Sequence, residues 1–309
     1  MSNEDTPKVS VVMPVYNGES YLCEAIESVL GQTFENFEFL IINDGSTDSS
    51  EEIIRSYPDE RIQLIQQCNR GLVESLNRGL QSARGTYIAR MDADDISEPS
   101  RLEQEIKLFL SHPSLSVVGT SIKRIDPGGR FLKVDYYLAN DAEIRQEMLL
   151  HNPFAHGSVM MRRDFALQAG GYRSEYWPAE DYDLWRRMAG FGELANILEP
   201  LYLYRENSNG TTSLHLSRQM DMTTRISNEL LASPAPLRDL PLRQCLRLYD
   251  EQPRPVREVV QSRVISNYFR ILMAYGVRGR LLLAMMRFAR LTMTSGKAGL
   301  HSVLKKIHR

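Results

Sequence analysis

Three carboxylates, Asp92, Asp94 and Asp95, follow directly on an apolar run in the stretch YIARMDADDISEP, Tyr87 to Pro99. Asp92 and Asp94 stand at alternate positions just past a strand pattern, so their side chains are expected to project the same way. Two like charges that close repel, and the usual remedy is a divalent cation or a ligand hydroxyl. The stretch also has a capping reading, because an Asp or Ser ahead of an apolar-periodic helix satisfies free N–H groups, and Ser97, Glu98 and Pro99 look like such a start. Ser97 is assigned to the cap. For Asp92 and Asp94 both readings stand.

Other polar groups carry the same double reading. In PVYNGESYL, Tyr16 offers a flat ring for stacking a base, and Pro14 has no N–H, so the strand ladder should end there. In IINDGSTDSS, Asp44 suits the hydrogen bonds of a base or ribose, or an Asx turn into a helix capped by Thr47 or Asp48. Arg70 and Gly71 are placed to let the backbone approach a nucleotide. Glu180 and Asp181, in AEDYDLWRR, fit a helix N-terminus, whose dipole favours acids.

The elements that must hold these groups alternate. VSVVMPV, FEFLIIN, RIQLIQ and TYIARMD read as strands, separated by helical patterns through Tyr21 to Leu30, Glu51 to Tyr57 and Leu72 to Ala83. Such β-α-β-α-β-α-β order implies a largely parallel sheet with helices on both faces and ligands at the carboxyl ends of its strands. Pro14, Tyr16, Asp44, Gly71, Asp92 and Asp94 all fall at those ends. After Pro99 the pattern turns α+β: a helix to about Ser111, strands around Leu115 to Arg124 and Phe131 to Tyr137 joined at DPGG, a strand GSVMMRR, a helix closed by Gly170 and Gly171, a helix from Glu180, and the run ANILEPLYLYR.

Composition bounds the rest. The 309 residues are 42% hydrophobic, enough for one large or two modest packed domains. The net charge of −2 hides an asymmetry: Pro255 to Arg309 carries eleven Lys or Arg against the single acid Glu258, a tail of about +10 on a body of about −12. Cys23, Cys68 and Cys245 lack disulfide or zinc-ligand spacing, which fits a reducing cytoplasm. The N-terminus MSNEDTPKVS lacks signal-peptide order, and the apolar region ILMAYGVRGRLLLAMM is interrupted by Arg278 and Arg280 and shorter than the roughly 20 residues a span needs. No membrane crossing and no nucleic-acid partner are expected. Apolar positions recurring from Val256 to Leu272 predict a basic amphipathic helix, which would either pack on the body or rest on an anionic membrane surface.

The stretches VSVVMPVYNGESYLCEAIESVLGQT, FEFLIINDGSTDSS, NRGLVESLNRGL, GTYIARMDADD and AEDYDLWRR resemble, in this order, the family 2 glycosyltransferases of the GT-A fold over about Val9 to Ser213. The resemblance implies an α/β protein with a Rossmann-like nucleotide-binding half and a mixed sheet. It implies a catalytic domain over 1–215, with a donor half at 8–98 and an acceptor half at 99–215, and a helical basic region over 216–309. It implies inverting transfer of a sugar from a nucleoside-diphosphate sugar, UDP-linked first, to a hydroxyl of a glycan or lipid-linked saccharide. Tyr16 and Asp44 then look like base contacts, and Asp92 and Asp94 like the DxD pair for the ribose and a Mn2+ or Mg2+ ion on the diphosphate. Asp181 looks like the catalytic base, with Glu180 beside it at the acceptor. Trp177 is assigned to carrying an acceptor sugar or packing its loop, Arg205 to the diphosphate or an ion pair, and His156 to the acceptor pocket or the core. The location implied is cytoplasmic, peripheral on the inner face of the membrane.

Rival readings are weaker. No G-x-G-x-x-G follows a strand, against a dinucleotide oxidoreductase, and PVYNGESYL lacks the glycine-rich basic loop of a nucleotidyltransferase. A non-catalytic nucleotide-sugar or glycan-binding protein of the same fold is the remaining alternative.

Overall fold

The computed structural model describes residues 6–207 and 210–232. Among the described residues, nine strands form one mixed sheet. The first half is wound as the periodicity predicts: β1 (Val9–Val15), α1 (Leu22–Leu30), β2 (Phe37–Asp44), α2 (Ser50–Arg55), β3 (Ile62–Gln67), α3 (Leu72–Ser82) and β4 (Tyr87–Arg90). β1, β2, β3 and β4 are parallel, in the order β3-β2-β1-β4. β1 and β2 carry apolar residues on both faces because helices cover both. One apolar layer holds Val73, Leu76 and Leu80 of α3; the other holds Leu22, Ala25, Ile26 and Val29 of α1.

The second half extends the sheet. It comprises β5 (Ile96–Ser97), α4 (Arg101–Ser111), β6 (Leu115–Ile125), β7 (Phe131–Asp135), α5 (Asp141–Met148), β8 (Met160–Arg162), α6 (Arg163–Gln168), α7 (Glu180–Met188), β9 (Glu193–Arg205), α8 (Thr211–Leu214) and α9 (Leu216–Ala232). β8 joins β4 and β6 antiparallel, β6 runs parallel to β9, β5 closes the far edge, and β7 pairs back on β6 through the turn that Gly129 makes at φ +80°.

Three expectations are corrected. β1 does not stop at Pro14; it stays in register with β2 to Val15. Val12 O accepts from Met91 N, so residues 12 and 14 turn their main chain toward β4, and the N–H that Pro14 lacks belongs on that side. The β1–β4 ladder therefore ends at Val12–Arg90, opening a crevice where the strand order reverses. Ser97 is no helix cap: it lies in β5 opposite Tyr202, with its N–H on Ser28 Oγ and its hydroxyl accepting from Gln32, and α4 starts after Ser100. β4 ends at Arg90, so Asp92 follows the strand and Asp94 sits in a turn.

The boundary expected at 215 is not a break in packing. Ile226 of α9 is fully buried, Glu229 pairs with Arg186 of α7 at 2.8 Å, and Gln219 donates to Pro178 O. The amphipathic tail predicted from Val256 onward lies outside the described residues. Among the described residues no helix is long and apolar enough to cross a membrane.

Gly79 shows how tightly α3 seats on the crevice strands. A Cβ there would fall well inside contact distance of Val12 and 3.1 Å from Ile42 Cδ1. Alanine normally strengthens a helix interior relative to glycine by about 0.5–1 kcal/mol. Here Gly79→Ala is expected to lower unfolding stability instead, by about 1–3 kcal/mol in denaturant melts, the usual cost of overpacking.

Candidate active site

Arg90 ends β4 beneath the crevice and is buried. Its Nη2 donates to Asp92 Oδ1 at 2.6 Å and its Nη1 to Met91 O, while Nε has no partner. Arg101 of α4 fixes this corner from below by donating to Arg90 O at 2.7 Å and Gly157 O at 3.1 Å. Gly157 is required there, because a Cβ would come within 2.6 Å of Asp92 Oδ2. Tyr202 of β9 supplies the hydroxyl that accepts from Asp92 N.

The turn after Asp92 divides the carboxylates. Asp94 Oδ2 accepts from Asn207 Nδ2 at 3.0 Å, and burial, then the Asp92 charge, raise its pKa above the ordinary range. Asp95 is fully buried, accepts Arg205 N at 2.7 Å, and is held well above the usual value by burial and by the charges of Asp92 and Asp94. Arg205 braces the turn rather than facing solvent: three of its guanidinium donors go to Asp94 O (2.8 Å), Pro127 O (3.1 Å) and Glu24 (2.9 Å), and it stacks over Tyr21.

Across the crevice, α7 begins at Glu180. Asp181 Oδ1 accepts from Tyr182 N at 2.7 Å and Oδ2 from Asn152 at 2.6 Å; burial outweighs these bonds and pushes its pKa up to about 6. Glu180 is buried with Oε2 unpartnered, and burial, then the Asp181 charge, push it up to about 8. Arg90 and Asp92 both act electrostatically on Glu180, which ties the α7 acids to the β4 turn. His156 has its Nε2 3.1 Å from the Tyr172 hydroxyl and its ring edge-on to Trp185; burial, then the Arg90 charge, push it well below its usual pKa.

The charge of Asp92 thus reaches Asp94, Glu180 and Asp181, and that of Arg90 reaches His156, around the end of β4. The remaining predicted residues lie around it. Tyr16 is 53% exposed at the rim. Asp44 is buried, and its carboxylate accepts from Gln67, Arg70 N and Gly71 N at 2.7–2.8 Å; it holds the β3–α3 loop, with Gly71 at φ +87°, and one of about four lone-pair positions stays open. Trp177 turns toward α9, edge-on to His215 with Arg218 4.7 Å over its ring. Arg90, Asn152, Tyr202 and Asn207 were not picked out from the sequence. Arg90 had a signal, a lone cation inside an apolar strand; Asn152 had none, since it acts only through a residue 29 positions away.

A stretch covering residues 10–171, just over half the chain, matches the family described as glycosyl transferase family 2. The chain belongs to glycosyltransferase family 2. An uncharacterised glycosyltransferase of Haemophilus influenzae is 36% identical over 242 residues, 73% of this chain and 74% of that one. Among solved structures, S. aureus TarS in complex with UDP-GlcNAc superposes with a TM-score of 0.61 at 18% identity, over 93% of this chain and 88% of that one. A mannosyltransferase of Pyrobaculum calidifontis in complex with GDP-Man and Mn2+ gives 0.58 at 19% identity, over 94% and 81%. The sheet order is accordingly that of the GT-A fold, as the resemblance implied.

Glu180 supplies a check that needs no substrate. Its folded pKa, about 8, lies above the ordinary 4.5, so the folded chain binds a proton there that the unfolded chain has released. That contribution to stability is fully present below about pH 4.5 and is lost as the pH rises through about 8. Glu180→Gln is expected to flatten the decline in melting temperature across this window; an unchanged slope would place the proton elsewhere.

Proposed function

We propose that this glycosyltransferase moves a sugar, with inversion, from a nucleoside-diphosphate sugar, UDP-linked first, to a hydroxyl of a glycan or lipid-linked saccharide. The observation that supports this best is the buried carboxylate of Asp181, oriented by two hydrogen bonds and electrostatically coupled to Asp92 at the end of β4. An inverting transfer is one in-line displacement, so it needs one base for the acceptor hydroxyl and charge stabilisation for the departing diphosphate. Asp181 suits the role of base, because its oxygens are oriented by Tyr182 N and Asn152, and a pKa near 6 leaves it ionised yet basic at neutral pH.

The residues of the turn fit a divalent cation. Burial and mutual repulsion disfavour the charged forms of Asp94 and Asp95, a deficit of positive charge that Arg90 alone does not fill. Among the described residues no three His, Cys, Asp or Glu side chains gather to enclose a metal. One or two carboxylates completed by substrate phosphate and water are the usual arrangement for Mg2+. Asp94 and Asp92 would hold such an ion, which when bound would neutralise charge building on the diphosphate. Tyr16 at the rim would stack the base, and the Asp44-braced loop would shape its pocket. Glu180, protonated at neutral pH, would donate a hydrogen bond to the acceptor, and His156 would line the same side as a neutral ring.

Asp181→Asn should cut transfer by roughly 10² or more at unchanged donor affinity, the size expected of a general base. Asp94→Asn should abolish the metal-stimulated rate while leaving the melting temperature near wild type. Normal transfer by Asp181→Asn would overturn the assignment of the base, and no transfer by the wild type with any donor would leave a non-catalytic binding protein as the better account; normal transfer by Asp94→Asn in chelator would remove the cation.

A further inference from the structure

The segment between α5 and β8, which ends in the turn that carries His156, is fixed at several points ahead of that turn. Tyr182 of α7 donates to Met148 O, Ser227 of α9 to Leu149 O, and Asn196 of β9 to Pro153 O at 3.2 Å. Phe154 is buried edge-on against Trp185, with ring centroids 5.9 Å apart. Asn152 is held between these anchors. Its Oδ1 accepts from Phe154 N at 3.3 Å, so its amide nitrogen is the end that faces Asp181, and Nδ2 donates to Asp181 Oδ2 at 2.6 Å.

A base carboxylate on a short side chain has a free χ1 and χ2 unless something fixes them. The Tyr182 N–H holds Oδ1, but it belongs to the next residue on the same helix and cannot by itself set the angle of the carboxylate to the crevice. Asn152 comes from a separate element and fixes the second oxygen. Donation to Oδ2 favours the ionised form over the protonated one, and it leaves the remaining lone pairs in a defined direction for the acceptor hydroxyl.

We propose that Asn152 is the positioning residue of the catalytic base: its amide fixes the rotamer of Asp181 and keeps its carboxylate ionised inside a buried crevice. This rests on the reading of Asp181 as the base. A residue that acts through Asp181 changes turnover rather than donor binding, and only while Asp181 is present.

The test is a double-mutant cycle on the full chain. UDP- and GDP-sugars with Mn2+ serve as the donor panel, and release of the nucleoside diphosphate to water is the readout. Asn152→Ala is expected to lower kcat at least tenfold with donor KM within about twofold of wild type. Asn152→Asp keeps the shape but cannot donate when ionised, and it should lose at least as much. In an Asp181→Asn background, adding Asn152→Ala should cost nothing further, since coupled residues are non-additive. Wild-type kcat in Asn152→Asp, or the same further loss with or without Asp181, would overturn the proposal by showing a packing role. Wild-type turnover in Asp181→Asn would overturn the base assignment instead, and no turnover by the wild type on any donor would overturn the transfer reading; either takes this proposal with it. Melting temperatures of each variant separate loss of fold from loss of rate.

Discussion

The site is organised by the electrostatic cost of placing five carboxylates, Asp92, Asp94, Asp95, Glu180 and Asp181, near the buried Arg90 at the end of β4. Isolated charges do not enter low-dielectric surroundings without partners or protonation. The chain resolves this in three ways. Arg90 pairs Asp92 directly. Burial holds the pKa of Asp95 well above the usual value and pushes that of Glu180 up to about 8. Main-chain and side-chain amides favour the ionised form of Asp181. What remains is a turn in which burial and the Asp92 charge disfavour the ionised form of Asp94, a cost that the proposed cation would relieve.

The same constraint explains features of the fold that are otherwise arbitrary. Pro14 withholds an N–H on the β4 side, so the sheet parts where the acids collect. Arg101 stiffens the base of Arg90 from α4. Gly157 leaves room for Asp92, and Arg205 holds both Asp94 and Asp95 through its side chain and its N–H. Much of the interior polarity here thus fixes a small anionic region at the end of β4. α9 belongs to this arrangement, because it anchors the loop that carries Asn152 and covers Trp177.

The winding of the donor half was legible because its strands are apolar on both faces and its helices keep a clean 3.6-residue period. Elements of the second half were less so. β5 is two residues long and exists only because β9 lies beside it, and α5 is a helix whose apolar face is sparse. The positions of Asp92, Asp94, Glu180 and Asp181 could be read because acids at strand ends and helix starts have few reasons to be there. Which of them face one another could not, since Asp94 reaches Asn207 from a turn that forms only because β4 stops at Arg90. Asp44, read as a ligand contact, is mostly occupied in bracing the next loop, because a carboxylate at a strand end is as useful to main-chain amides as to a ribose.

The most direct measurement of this account is a thermal shift of the intact chain with UDP or GDP, each with Mn2+ or with a chelator. A ligand that binds only the folded chain raises its melting temperature, and tighter binding raises it further. If the anionic turn needs a cation and a diphosphate together, nucleotide plus Mn2+ should raise the melting temperature by more than the two separate shifts combined, and Asp94→Asn should remove the excess. An equal shift in chelator, with the same response in Asp94→Asn, would contradict the claim that the crowding of these carboxylates is resolved by a metal-bound diphosphate.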